Sequence, residues 1–153
     1  MIEVSLLGEM SFAKGLPARA LEALSTMAEL ETVPGSGVLF REGRLCQDLY
    51  LVQAGSFTLD VDVPSRGRVT ILKVGPGELL AWSALLGEGS MTATATAVEE
   101  SYVLKLPGDK LRTLCNVDHE FGYSLMRHLS IALSRRLLAT RLQWLDLFSP
   151  AAQ

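Results

Sequence analysis

The residues that could bind a charged ligand follow a glycine–proline break near the middle of the chain. They are Gly77, Glu78, Leu79 and Leu80. The apolar segment that continues to Gly87 predicts a short helix that opens at these residues and ends at that glycine. The first N–H groups of a helix can bind an anion, and a glycine lets a ligand approach the backbone closely. A simpler interpretation of Glu78 is that an acid at a helix N-terminus stabilises the helix dipole.

A second candidate segment alternates threonine with alanine. It contains Met91, Thr92, Ala93 and Thr94. The hydroxyl groups of Thr92 and Thr94 could line the same site. The alternation is also that of an ordinary strand, with threonines on the outer face and alanines inward. Trp82 and Trp144 could stack on a flat ring, although the short apolar segment around Trp82 favours a packing role.

No set of residues indicates catalysis or metal binding. The serines lie outside a nucleophile-elbow sequence, and no glycine-rich phosphate loop is present. His119 and His128 lack partners at metal-ligand spacing, and iron–sulfur ligation would need a cysteine cluster. We interpret Cys46 and Cys115 as small packing residues. The sequence therefore predicts a protein that is not an enzyme and holds no metal or resident cofactor.

The elements that position these residues are short strands between two helical regions. The chain has 153 residues and a formal net charge of −3, which predicts one domain without the basic footprint of a nucleic-acid binder. We predict an N-terminal helical region over residues 1–32, with helical spacing at 17–30. Residues 33–106 hold apolar runs that glycines and prolines separate, a pattern typical of a sandwich or barrel.

One predicted strand, residues 57–63, shows a strict alternation of residue types. Its apolar face carries Phe57, Leu59, Val61 and Val63, and its polar face carries Thr58, Asp60 and Asp62. The turn at residues 64–67 predicts a hairpin with the strand that returns over 69–74. Two further strands are predicted at 92–98 and 102–106.

Residues 107–149 are predicted to form the C-terminal helices. Asp118 can cap a long helix that ends near Phe148, before Ser149 and Pro150. This helix carries apolar residues at a spacing close to a seven-residue repeat: Met126, Leu129, Leu133, Leu137 and Trp144. Five more widen the surface: Leu125, Ala132, Leu138, Leu142 and Leu145. One side of this helix can cover the strands, and we expect its remaining apolar surface to form a homodimer interface. Alternatively, one broad stripe packs only on its own domain.

The order of elements and their glycines resembles the cyclic-nucleotide-binding domain, the sensor half of catabolite-activator-type regulators. The residues that carry the resemblance are Phe40-Arg41-Glu42-Gly43, Leu49-Tyr50-Leu51-Val52 with Gly55, Pro76-Gly77-Glu78-Leu79, Thr92-Ala93-Thr94-Ala95, Leu104 and Leu106-Pro107. The resemblance covers nearly the whole chain. It implies a mainly β fold, a double-stranded β-helix or jelly-roll-like β-roll, with flanking helices, a short inserted helix and a long C-terminal helix.

The resemblance also implies a site for a cyclic nucleotide, and one half of that site is missing. Glu78 matches the family's acceptor for the ribose 2′-OH, but Met91 stands where the family has the arginine that binds the phosphate. No Arg or Lys lies between Lys73 and Lys105. A hydrogen bond to a charged group contributes about 1.5–3 kcal/mol. At about 1.4 kcal/mol per decade, losing a bidentate pair weakens binding by roughly two decades or more.

Three interpretations of this altered site stay open. The ligand is a different molecule, the pocket is vestigial, or a distant basic residue folds in and preserves nucleotide binding. Arg127, Arg135, Arg136 and Arg141 on the long helix could face phosphate, but we predict that they are solvated. If Gln153 is the end of the protein, we expect no helix-turn-helix module of the kind found in catabolite-activator-type regulators; in a longer protein, that module would follow Pro150.

We therefore expect a stand-alone, ligand-sensing regulatory domain that binds cyclic AMP weakly. The alternatives are the sensor half of a nucleotide-binding transcription regulator and an assembly module with an unused pocket. We expect a homodimer in the cytoplasm that contacts neither membrane nor, through this chain alone, nucleic acid.

Overall fold

The apolar runs form eight strands, and the segments around them form five helices in the part of the chain that the structure describes. The computed structural model describes residues 2–147, apart from the side chains at 143 and 147, so the predicted helix end near Phe148 lies outside it. The helices are α1 (Val4–Gly8), α2 (Ala18–Met27), α3 (Ser83–Leu86), α4 (Gly108–Val117) and α5 (His119–Leu147). The strands are β1 (Glu29–Val33), β2 (Val38–Phe40), β3 (Asp48–Ala54), β4 (Phe57–Val63), β5 (Gly67–Val74), β6 (Leu79–Leu80), β7 (Thr94–Ala97) and β8 (Ser101–Pro107).

The strands form two antiparallel sheets of four strands each. The orders are β1-β8-β3-β6 and β2-β7-β4-β5. The predicted fold class is confirmed: this is a jelly-roll-like β-roll with flanking helices and a long C-terminal helix. Among the described residues, none of the helices combines the length and hydropathy that crossing a bilayer requires.

Alternate residues of the first sheet divide between two hydrophobic cores. On β3, Leu49 and Leu51 face the helices, whereas Tyr50 and Val52 face the interior of the roll. Because both faces of this strand are buried, it appears in the sequence as a continuous apolar run. The roll interior also contains Phe57 and Val74.

The predicted hairpin is present, with one irregularity that the alternation did not show. Strands β4 and β5 pair as expected, but the register shifts between Leu59 and Asp60. Asp60, predicted on the solvated polar face, is buried, and its carboxylate accepts a hydrogen bond from the Thr70 hydroxyl at 2.5 Å. The extra residue of this bulge is Ile71 on β5, and the register shift sets Thr70 directly opposite Asp60.

The N-terminal region is less helical than predicted. The helix expected over residues 17–30 ends at Met27, because Ala28 is extended and Glu29–Val33 form strand β1 beside β8. Lys105 on β8 lies 3.4 Å from Glu29 and 3.1 Å from Glu31, so two acids that suit a helix are stabilised on a strand. The short helix α1 lies within the predicted helical region, although no separate helix was predicted there.

The C-terminal helices form as predicted. The Asp118 carboxylate accepts a hydrogen bond from the Phe121 N–H at 3.1 Å, which caps the start of α5. Asp118 also pairs with Arg19 of α2, at 2.8 Å. Helix α5 has 29 residues and is therefore about 43 Å long. Its first half packs on the helical core through Phe121, Leu125 and Leu129.

Candidate ligand pocket

The interior of the roll opens to a very small cavity, which we call the roll pocket. Its lining residues are Phe40, Leu59, Ala81, Trp82, Ser83, Met91, Thr92, Ala93 and Arg136. The cavity has a volume of about 20 Å³, enough for about one water molecule. Small-molecule sites usually measure about 300–1,000 Å³. In this conformation the roll pocket is closed.

A strained turn places the side chains that close the pocket. Ala81 joins β6 to α3 with a φ of +65°, a left-handed conformation that costs a non-glycine residue about 1–2 kcal/mol. The turn is followed by Trp82, which lies against the helical core and lines the pocket. The strain is therefore located where the chain covers the pocket.

Met91, which the resemblance aligns with the family's phosphate-binding arginine, lines the roll pocket. Its side chain is buried in the inner core, and its backbone is fixed by two hydrogen bonds with the turn that follows β2. The Met91 N–H donates to Arg44 O at 2.9 Å, and the Met91 carbonyl accepts from the Gly43 N–H at 2.8 Å. A thioether carries no charge, so it cannot pair with a phosphate as an arginine does.

The threonines that follow have different environments. Thr92 is exposed beside the pocket, whereas Thr94 is buried and its hydroxyl accepts a hydrogen bond from the Glu42 N–H at 3.0 Å. Thr94 therefore supports a turn and lines neither the roll pocket nor the solvated face that the alternation predicted. Ala93, Ala95 and Ala97 face inward as expected. Thr96 is partly buried, and its hydroxyl has no hydrogen-bond partner within the described chain.

The prediction of a helix opening at residues 77–80 is wrong. Leu79 and Leu80 form strand β6 and pair with Leu51 and Tyr50 of β3. The Gly77 N–H donates to Val52 O at 2.7 Å, so it is not free to bind an anion. Leu79 packs in the helical core and Leu80 in the roll interior. Leucine occurs in helices and strands alike, so the sequence of this dipeptide did not distinguish the two. Pairing with β3 gives its backbone groups hydrogen-bond partners in the sheet.

Gly77 permits a close approach, but the approaching group is the chain itself. The Phe12 N–H and the Ser11 hydroxyl both donate to Gly77 O at 2.9 Å. The φ of Gly77 is +85°, a region that glycine occupies without strain. This glycine therefore docks the N-terminal segment onto the roll, and it does not line the roll pocket.

Glu78, predicted as a pocket residue, does not line the roll pocket, whose lining includes the charged Arg136. One Glu78 carboxylate oxygen accepts a hydrogen bond from the Gly75 N–H at 3.0 Å. Arg136, predicted to be solvated, is partly buried and its guanidinium donates to Leu79 O at 2.5 Å. Burial lowers the pKa of Arg136, and the attraction of the Glu78 carboxylate opposes that shift. Arg136 thus brings a cation from α5 to the wall of the roll pocket.

The sequence contained a signal for the position of Arg136. It lies seven residues after the buried Leu129, and therefore on the same face of the helix. The residue type did not indicate a place in the pocket wall, because long charged side chains are usually solvated. The other three arginines, Arg127, Arg135 and Arg141, are exposed as predicted.

The predicted dimer residues divide into two groups. Leu129 is fully buried, and Met126 and Leu133 are partly buried, all in the core of their own domain. Their assignment to a dimer surface is corrected, because the first half of α5 covers the roll. Leu137 and Trp144, in the second half, are 65 % and 51 % exposed. Further exposed apolar residues of α5 are Ile131, Leu138, Leu142 and Leu145.

The free cysteines and the histidines form no metal site within the described residues. Cys46 packs beside the roll interior and Cys115 beside the helical core. Burial raises the pKa of the Cys115 thiol. No group of three or more potential ligands (His, Cys, Asp or Glu) is present in residues 2–147.

Two four-stranded sheets, a small roll pocket and a long helix that reaches this pocket define the class of protein: a β-roll domain with a C-terminal helix. The sequence pattern of the cyclic nucleotide-binding domain matches residues 30–118, more than half of the chain. The chain belongs to the cyclic nucleotide-binding domain family.

Individual relatives agree with this assignment. The chain is 32 % identical over 119 residues to the cyclic AMP receptor protein of Thermus thermophilus, covering 75 % of this chain and 55 % of that protein. Its fold matches a cyclic nucleotide-binding protein from Geobacter metallireducens with a TM-score of 0.80 and 25 % identity, over 90 % and 99 % of the two chains. The catabolite activator protein of T. thermophilus matches with a TM-score of 0.70 and 31 % identity, over 89 % and 62 %. The chain spans 55–62 % of the length of the curated relatives.

Proposed function

We propose that this chain is a ligand-sensing regulatory domain in which Arg136 couples the roll pocket to helix α5. The observation that carries the proposal is the position of Arg136, which lines the pocket while its guanidinium donates to Leu79 O. A ligand that enters the pocket must move this side chain or bind to it. Either event changes how α5 is held, so the ligand shifts the population of helix arrangements.

We further propose that cyclic AMP binds weakly to this domain. The roll pocket has a volume of about 20 Å³, and Met91, which the resemblance aligns with the family's phosphate-binding arginine, is one of its lining residues. A nucleotide would have to open the pocket without a cation at this position. We also propose that the domain acts in the cytoplasm and catalyses no reaction.

Calorimetry with cyclic AMP and cyclic GMP tests this proposal. We expect no micromolar binding to the wild-type protein, and micromolar affinity for cyclic AMP after Met91→Arg. Replacing the thioether by a guanidinium restores a charge-assisted pair, which corresponds to roughly two decades of affinity. Met91→Leu, similar in size and uncharged, is the matched control. Micromolar binding to the wild type would contradict weak binding.

Arg136 also favours a second candidate function. If this guanidinium turns toward a phosphate, the chain could bind a cyclic nucleotide as the sensor half of a transcription regulator. The name of the T. thermophilus relative and the partial coverage of its length support this alternative. In this case the wild type binds cyclic AMP, and Arg136→Gln abolishes the binding. Binding that survives Arg136→Gln would exclude this role for the arginine.

We also propose that the domain is a homodimer through the second half of α5. Leu138, Leu142 and Leu145 are 52–61 % exposed and follow the 4-3 spacing of a coiled-coil seam. An apolar surface of this kind is stabilised when a second helix covers it. The dimer would bring two copies of the Arg136 linkage to one pair of helices.

Light scattering with paired variants tests the dimer. We expect the wild type to have twice the mass of one chain, and Leu138→Asp/Leu142→Asp to have the mass of one chain. Leu45→Asp, at a 71 % exposed leucine outside α5, is the control and should leave the mass unchanged. A monomeric wild type at micromolar concentration would remove the proposal, and so would a helix variant that stays dimeric. Leu133→Asp is unsuitable because Leu133 packs in its own core.

A further inference from the structure

A second, larger cavity lies outside the roll, where the N-terminal segment meets α5; we call it the outer groove. It has a volume of about 340 Å³, and its charged and aromatic lining includes Phe12, Lys14, Glu78, His128, Arg135 and Arg136. Leu79, whose side chain faces the helical core, also lines it, whereas the next residue, Leu80, faces the roll interior. The outer groove and the roll pocket are therefore on opposite sides of β6.

The outer groove carries an excess of positive charge. Lysine and arginine supply three of its lining side chains, and Glu78 is the single carboxylate in the lining. Within residues 2–147, the side chains of Lys14 and Arg135 form no salt bridge. Cations that converge on a concave site without a partner can bind an anion with charge-assisted hydrogen bonds.

His128 holds the two walls of the outer groove together. Its Nε2 lies 2.9 Å from the Lys14 carbonyl oxygen, and its Nδ1 lies 2.9 Å from the Ser124 carbonyl oxygen. Both contacts are with carbonyl oxygens, so a ring nitrogen that carries a proton donates a hydrogen bond to its partner at either position. The ring thus fixes the backbone of Lys14 against α5 and keeps the N-terminal cation beside the arginines.

We propose that the outer groove binds a small phosphate monoester with an apolar body. The cations Lys14 and Arg135 would bind the phosphate, since a guanidinium and an ammonium both pair with phosphate oxygens. The apolar side chains of Phe12, Ile131 and Ala132 line the rest of the groove and would contact the body of the ligand. The volume is within the range of small-molecule sites, about 300–1,000 Å³, and exceeds what free phosphate needs.

Calorimetry at low ionic strength, with phenyl phosphate as the probe, tests this site. We expect phenyl phosphate to bind, inorganic phosphate to bind more weakly, and phenol to give no heat. Lys14→Gln/Arg135→Gln should weaken binding of phenyl phosphate by at least about 10-fold for each charge-assisted bond lost. Both side chains are exposed, so we expect the variant to fold, which circular dichroism would check.

The matched control is Arg127→Gln/Arg141→Gln, which removes two exposed cations of the same helix that do not line the outer groove. We expect this variant to bind phenyl phosphate as the wild type does. Equal losses in the two variants would overturn the proposal, because they would indicate general attraction to a basic helix. Absence of binding at millimolar probe, or equal affinity for inorganic and phenyl phosphate, would also overturn it. None of these variants alters Met91 or Arg136, so failure here is distinct from failure of the proposed nucleotide response.

Discussion

Replacing Gly77 with alanine tests whether this glycine docks the N-terminal segment onto the roll. A Cβ atom on Gly77 would lie 2.8 Å from the Ser11 nitrogen and 2.9 Å from its hydroxyl oxygen. The residue also has a φ of +85°. The substitution therefore has two costs, a left-handed backbone that carries a side chain and a collision with the backbone of a neighbouring segment.

The two costs can be separated with a second glycine. Gly67 in the β4–β5 turn has a φ of +79°, and a Cβ there would meet nothing within 4 Å. Gly67→Ala should therefore cost only the conformational strain, about 1–2 kcal/mol. In Gly77→Ala, the displaced segment would also lose the two hydrogen bonds to Gly77 O, each contributing about 0.5–1.5 kcal/mol. The expected additional loss is about 1–3 kcal/mol.

Thermal and urea denaturation of the two variants and the wild type measure this difference. For a chain of this length, each 1 kcal/mol lowers Tm by roughly 2–4 °C. Gly77→Ala should therefore melt clearly below Gly67→Ala. If the two variants lose the same free energy of unfolding, the N-terminal segment is not held at Gly77, and our account of this position is refuted.

Three further predictions concern stability. Thr96→Val should raise the free energy of unfolding by about 1 kcal/mol, because valine has nearly the shape of threonine but lacks the buried hydroxyl that has no described partner. A loss of stability in urea denaturation would contradict this. Leu129→Ala should lower the free energy of unfolding by about 2–5 kcal/mol, because it leaves a cavity in the core. Leu137→Ala, at a 65 % exposed position, should lower it far less at protein concentrations where the chain is monomeric. Equal losses by denaturation would place both leucines in the core. Burial raises the pKa of Asp48 above the ordinary 3.8, so the folded state holds this proton more tightly than the unfolded state, and stability conferred by the protonated form is lost as pH rises above that value. The stability of Asp48→Asn relative to wild type should therefore increase from pH 3 to pH 7 in urea titrations, and a constant difference would rule out this linkage.

The features that the sequence predicted well depend on local patterns. The hairpin of β4 and β5 follows from alternation and a turn, and Asp118 has the residue type and position of a helix cap. Both signals lie within a few residues, so they can be read before the fold is known. The fold class itself followed from the order of such signals along the chain.

The features that the sequence did not predict depend on distant partners. Leu79 and Leu80 join a strand because β3 offers unpaired backbone groups, and β1 forms beside Lys105, more than seventy residues away. Arg136 becomes part of the pocket because its face of α5 lies against β6. Propensity and spacing describe one segment at a time, and tertiary pairing overrides them at these positions.

The bond between Arg136 and the Leu79 carbonyl has a consequence for how this domain can change over evolutionary time. Every residue type supplies a main-chain oxygen, so substitutions at position 79 leave the acceptor in place. The side chain at position 79, which packs in the helical core, can therefore change while the hydrogen bond that joins the strand to α5 is retained. Loss of this bond requires a change at position 136 or a displacement of β6, so this contact between α5 and β6 is insensitive to the residue type at position 79.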